Sequence, residues 1–138
     1  VKPRLSRTRA VKEKEASMDA DRIVRDFCAA WGRGDLDAIM GAFAEGAVYH
    51  NMPMAPAEGK DAIRATIEGF LKMSPSGVDF EIKSQIASGR TVFNERVDTF
   101  VIEGKTVAAP VAGVFELDEA GKISAWRDYF DMGAFQAG

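Results

Sequence analysis

From Val78 to Asp131 the sequence alternates with period two, and three short turn segments divide that run into four. The turns are Ser88-Gly89-Arg90, Glu103-Gly104-Lys105 and Asp118-Glu119-Ala120-Gly121-Lys122. This predicts strands over Val78 to Ala87, Thr91 to Ile102, Thr106 to Leu117 and Ile123 to Asp131, joined by hairpins into an antiparallel meander. Upstream the apolar period is helical. Ile23, Phe27 and Trp31, with Val24 and Cys28 beside them, form the apolar face of a helix capped by Ser17 or Asp19 and ended by Gly32 and Gly34. Leu36, Ile39, Met40 and Phe43 give a second, shorter helix from Asp35. After a short strand, Ala47 to Asn51, the two prolines of Met52-Pro53-Met54-Ala55-Pro56 require an extended loop. A third helix starts near Gly59-Lys60-Asp61 and carries Ile63, Ile67, Phe70 and Leu71 on one side. Helices first and strands later give an α+β class, with three N-terminal helices packed on one face of a curved, mostly antiparallel sheet that the Tyr49 strand joins. A bent sheet closed by helices is a cone with an interior pocket.

Several function classes are excluded early. The 138 residues suit one domain, and no apolar run approaches the roughly 20 residues of a membrane span. One histidine, His50, leaves little material for a His-rich zinc site or a Ser-His-Asp hydrolase. One cysteine, Cys28, cannot form an internal disulfide and reads as a small buried hydrophobe in a reducing, cytoplasmic setting. Net charge is -3, but residues 1–17 hold six bases and two acids, a +4 segment on a -7 body. We therefore divide the chain into a basic N-terminal extension, 1–17, and a single domain, 18–138. The extension suits an acidic patch, anionic lipid or nucleic acid, or is an upstream extension before Met18. It lacks the apolar core of a secretory signal. The acidic body argues against nucleic acid as the main partner.

Strand alternation sorts the polar residues. Trp126, Asp128 and Phe130 share a face, as do Asn94, Arg96, Asp98 and Phe100, and so do Tyr49 and Asn51 with His50 turned away. A carboxylate between Trp126 and Phe130 loses water, so something charged must hold it. If the three faces meet inside the cone, the pocket contains Asp98, Asp128, Arg96, Tyr49 and Asn51 in an otherwise apolar wall. Taken singly, these residues read as a structural ion pair, strand-end turn residues and a loop cap. Ala108, Ala109, Ala112 and Gly113 are small where a filled core wants bulk, and Pro110 calls for a bulge or an edge. They suit either a cavity or close packing against a second subunit.

Four stretches carry a family resemblance that runs in order from about residue 21 to the end: Tyr49-His50-Asn51-Met52-Pro53, Glu95-Arg96-Val97-Asp98, Gly113-Val114-Phe115 and Trp126 to Asp131. The chain resembles a limonene epoxide hydrolase, in the superfamily with the nuclear transport factor 2 fold. The resemblance implies that Asp128 is the base, that Tyr49 and Asn51 position water, and that Arg96 and Asp98 are the bridging arginine and the proton donor. It also implies a homodimer.

The chemistry asks for the same residue types. Opening an epoxide near neutral pH needs a proton delivered to oxygen while water attacks carbon, hence one protonated and one ionised carboxyl together. An arginine fork between two aspartates balances one negative charge, so in an apolar pocket the pair keeps a proton. Such a reaction requires no metal, organic cofactor or covalent intermediate. The substrate is a small apolar epoxide, cyclic or terpene-like, with water. Candidates for its lining are Met40, Phe70, Met73, Phe100, Ala109, Val111, Trp126, Phe130 and Phe135. Two alternatives stand beside this reading: an isomerase or polyketide cyclase on the same fold, and a non-catalytic ligand-binding module.

Overall fold

Hairpins this short can only join antiparallel neighbours, and the strands fall where the turns divide them. The computed structural model describes residues 2–136, with side chains for residues 8–134. Its helices are α1 (Lys2–Arg33), α2 (Leu36–Gly41), α3 (Lys60–Met73) and the short α4 (Gly133–Gln136). Its strands are β1 (Phe43–Asn51), β2 (Ala57–Glu58), β3 (Asp79–Ser88), β4 (Thr91–Ile102), β5 (Lys105–Leu117) and β6 (Ile123–Tyr129). They form one six-stranded sheet in the order β2-β1-β6-β5-β4-β3. Every pair is antiparallel except β1–β6, whose strands are joined through most of the chain. The fold class is thus α+β, with the helices mainly N-terminal and the sheet mostly antiparallel.

Two local expectations need correction, and two further features carry no sequence signal. α1 does not begin at Ser17 or Asp19: residues 4–31 contain neither glycine nor proline, so nothing breaks the helix, and Asp19 pairs with Arg22 one turn on. The helix therefore runs through the expected boundary between residues 17 and 18. Phe43 belongs to β1 rather than to the second helix; the Ala42 N–H closes α2, and Phe43 then packs at 5.5 Å from the Phe27 ring. The two-residue β2 and the terminal α4 are too short to show a period. Finally, β3 shifts register between Ile82 and Ser84, which turns Gln85 inward and leaves Ile86 67% exposed. Pro110 meets its expectation of an edge: β6 stops at Tyr129 opposite Ala112, so Pro110 lies on a stretch of β5 paired only to β4.

The core lies between α1 and the inner face of the sheet. Val24, Phe27, Cys28 and Trp31, one face of the helix, are buried, and Phe27 meets Trp126 edge-on at 5.0 Å while Trp31 stacks on Phe80 at 4.9 Å. Full burial of side chains of this size stabilises by roughly 1.5–3 kcal/mol each. The end of α1 is tied to the start of β3: the Val78 N–H donates to Trp31 O, and Gly77, at φ 104°, fits where a Cβ would lie 2.6 Å from Gly32 O. On α3, Ile63 and Ile67 complete the core. Among the described residues no helix is long and apolar enough to cross a membrane.

Candidate active site

Two register matches assemble the site. In the parallel β1–β6 pair Tyr49 lies opposite Trp126 and Asn51 opposite Asp128; in β4–β5–β6 Asn94, Gly113 and Asp128 lie in one row. The inward residues of β4 are Val92, Asn94, Arg96 and Asp98, all buried, whereas Phe93 is exposed. Arg96 and Asp128 sit two strands apart, about 10 Å. The guanidinium crosses that distance because the row between carries no side chain. A Cβ on Gly113 would strike Arg96 Nη1, and would lie 2.8 Å from Asn94 Oδ1 and 2.9 Å from Asp128 Oδ1.

Arg96 then grips both acids. Its Nε and Nη2 donate to Asp98 Oδ1 and Oδ2 at 2.9 and 2.8 Å, and its Nη1 and Nη2 donate to Asp128 Oδ1 and Oδ2 at 3.2 and 2.8 Å. The guanidinium is fully buried, and Phe80 lies against it, 4.5 Å from ring centroid to Cζ. Burial opposes its charge, but Asp128 and Asp98 hold its pKa well above the ordinary arginine value. Burial pushes the Asp98 carboxyl up to about 6, with Arg96 opposing and Asp128 assisting. Asp128 receives a further donor, the Trp126 indole N–H, at 2.7 Å. Of the pair, Asp98 has fewer donors and is the member suited to keep the proton.

Tyr49 completes the group: its ring stacks on Trp126 at 4.1 Å, and its hydroxyl donates to Asn51 Oδ1 at 3.3 Å. Burial, then the charge of Asp128, raises its pKa, so it remains a phenol. Tyr49, Asn51, Asp98 and Asp128 face a cavity of about 250 Å³, and the other eleven lining side chains are apolar or aromatic.

Of the lining residues expected from sequence, Phe70, Met73, Phe100, Val111 and Phe130 are on the wall. Met40, Ala109 and Trp126 are not. Met40 is packed in the core on α2, and Ala109 is fully buried on β5 opposite Asp98. Trp126 is fully buried between the rings of Tyr49 and Phe115, where it supports the site from behind. Ala112 points outward and does not enlarge the cavity. The Phe135 side chain lies outside the described residues. His50 stays off the wall, its Nε2 2.9 Å from Met54 O.

The wall also contains Trp31, Met54, Val78, Phe80, Ile102 and Met132, which sequence reasoning missed. Phe80 was accessible, since it lies in phase with Ile82. Met54 and Met132 come from irregular segments, where no period marks a direction.

Comparisons with known proteins give the family and the fold. The SnoaL-like domain family matches residues 24–126. Epoxide hydrolase EphG of Mycobacterium tuberculosis (strain ATCC 25618 / H37Rv) is 35% identical over 111 residues, covering 79% of this chain and 71% of EphG. Among solved structures, an LEH-like epoxide hydrolase of M. tuberculosis superposes with a TM-score of 0.74 at 31% identity, covering 88% of this chain and 89% of that one. Bal32a, from a soil-derived mobile gene cassette, gives a TM-score of 0.77 at 21% identity over 88% and 97% of the two chains, a likeness of fold. That shared architecture is the nuclear transport factor 2-like fold.

Proposed function

Given that the chain belongs to the SnoaL-like domain family, we propose that it is a cofactor-independent epoxide hydrolase adding water to an apolar epoxide in one step to give a vicinal diol. The observation that carries this reading is Arg96 clamped between two buried carboxylates at the wall of an otherwise apolar cavity. One positive charge balances one of the two acids, so the pair retains a proton. Asp98 delivers that proton to the epoxide oxygen. Asp128 takes one from water held beside Tyr49 and Asn51, and the water oxygen attacks carbon from the side opposite the leaving oxygen, inverting it. The carbon–oxygen bond breaks as its oxygen is protonated, and the acid and base each contribute roughly 10²- to 10⁴-fold.

Tyr49, Asn51, Asp98 and Asp128 all belong to this reaction and the other lining side chains are apolar or aromatic, which suits a substrate with no polar group besides the epoxide. Cyclic and terpene-like epoxides, of the limonene oxide type, fit that description. The exposed outer sheet face, with Phe93 and Tyr129, is the surface through which we expect a homodimer, and light scattering at micromolar concentration checks it. Buried Cys28, its thiol pushed up to about 12 by burial, suits a cytoplasmic protein. The function is tested with limonene oxide, cyclohexene oxide and styrene oxide. Diol from the wild type and none from Asp128→Asn is expected; no diol from any epoxide overturns the reading.

A further inference from the structure

A guanidinium has five N–H groups and no acceptor. Four of those of Arg96 go to the two aspartates. The fifth, on Nη1, donates to Asn94 Oδ1 at 3.0 Å. Because Arg96 offers only donors, Asn94 must turn its oxygen toward it and its amino group away. That amino group donates to Gln85 Oε1 at 3.0 Å, across the β3–β4 pair. Gln85 must then present its own amino group outward, and Nε2 donates to Asp21 Oδ1 at 2.8 Å and Asp21 O at 3.1 Å on α1. Each amide has one permitted orientation, fixed by its neighbour, from the helix surface to the buried cation.

A second observation points the same way. Unbroken alternation from Ile82 would bury Ser84 and Ile86. The register shift after Ile82 turns Gln85 inward instead and leaves Ile86 exposed, against the usual apolar preference. The strand thus deviates at the place that brings an amide to Asn94. Neither Asn94 nor Gln85 lines the cavity, so neither reaches substrate.

We infer that Asn94 is a positioning residue, locked by Gln85 against α1, that holds the Arg96 guanidinium in the orientation bracing both Asp98 and Asp128. For turnover this rests on the proposed hydrolase reading, but the geometry has a readout of its own. The Trp126 indole N–H donates to Asp128, whereas the Trp31 indole nitrogen has no partner among the described residues. The chain has two tryptophans, so their indole N–H signals in a proton–nitrogen NMR spectrum give a probe and an internal reference.

The experiment compares Asn94→Leu and Gln85→Leu with wild type, by that spectrum and by diol formation. In both variants the Trp126 signal should move while that of Trp31 stays, and kcat should fall roughly 10- to 100-fold with KM nearly unchanged. Gln85 is half-buried and away from the cavity, so its variant decides the matter if Asn94→Leu fails to fold. An unchanged Trp126 signal in a folded variant overturns the inference, and so does an unchanged kcat. If the wild type makes no diol, the hydrolase reading fails by itself and the Trp126 signal still decides the role of Asn94.

Discussion

Arg127 and Asp128 are consecutive residues on β6, yet they belong to two different arginine–carboxylate contacts on opposite faces of one sheet. Outside, Arg127 Nη1 donates to Glu116 Oε2 at 2.6 Å, with side chains 33% and 47% exposed. Inside, Arg96 meets Asp98 and Asp128 at 2.8 Å with side chains 0%, 9% and 4% exposed. Distance alone would rank the outer pair first. Water screens that pair, and contacts of its kind contribute about 0–1 kcal/mol. Inside, the charges have lost water and the count is two acids to one base, and burial lifts the Asp98 carboxyl to about 6, so it holds a proton more readily than a solvated aspartate. The comparison teaches that burial and stoichiometry, more than separation, turn an ion pair into acid–base chemistry.

The largest way to break the inner arrangement is to take its protons away. Asp128→Asn and Asp98→Asn should each lower turnover by roughly 10²- to 10⁴-fold while the circular dichroism spectrum keeps its shape. Arg96→Lys should fall nearly as far, because a point ammonium cannot brace two carboxylates as a planar fork does. Retained turnover in any of the three would erase the distinction between the two faces.

Gly113→Ala adds one methyl group in the row between Asn94 and Asp128. It should abolish most activity and lower stability by about 1–3 kcal/mol, the range for overpacking, in a urea melt. The outward Ala112→Gly, one residue away, should leave diol formation intact.

The pH response sharpens the comparison next. The folded-state pKa of Asp98, about 6, lies above its ordinary 3.8, so the folded chain keeps a proton that the unfolded chain has released. The stability it contributes is therefore fully present below pH 3.8 and declines as pH rises to about 6. Urea melts should show Asp98→Asn gaining on wild type across that window. Diol formation by the wild type should decline on the alkaline side as the same proton is lost. The smallest effect belongs outside: Glu116→Gln should change stability by under about 1 kcal/mol and leave turnover alone.

Much of this was legible because period two is a strong signal over twelve or thirteen residues. Parity alone put Asn94, Arg96 and Asp98 on one face, and Trp126 and Asp128 on another. That these faces meet depends on Gly113, whose lack of a side chain reads in sequence as spare room rather than as a passage for Arg96. Parity failed where a strand slipped: a register shift after Ile82 exchanges Ile86 for Gln85, and composition argues for the reverse. It is also silent in loops, which is why Met54 and Met132 went unseen at the cavity. Trp126 lies on the predicted face but meets Asp128 rather than the cavity, since a ring pressed between Tyr49 and Phe115 has only its N–H edge left to offer.

The most direct test of one-step water addition is a single turnover in ¹⁸O-labelled water, with enzyme in excess over an apolar epoxide such as cyclohexene oxide. We predict one labelled oxygen in the diol of that first turnover, because the attacking oxygen comes from water. An unlabelled first-turnover diol, with ¹⁸O appearing only in later rounds, would mean that a protein carboxylate attacked carbon, and would contradict the assignment of Asp128 as a base.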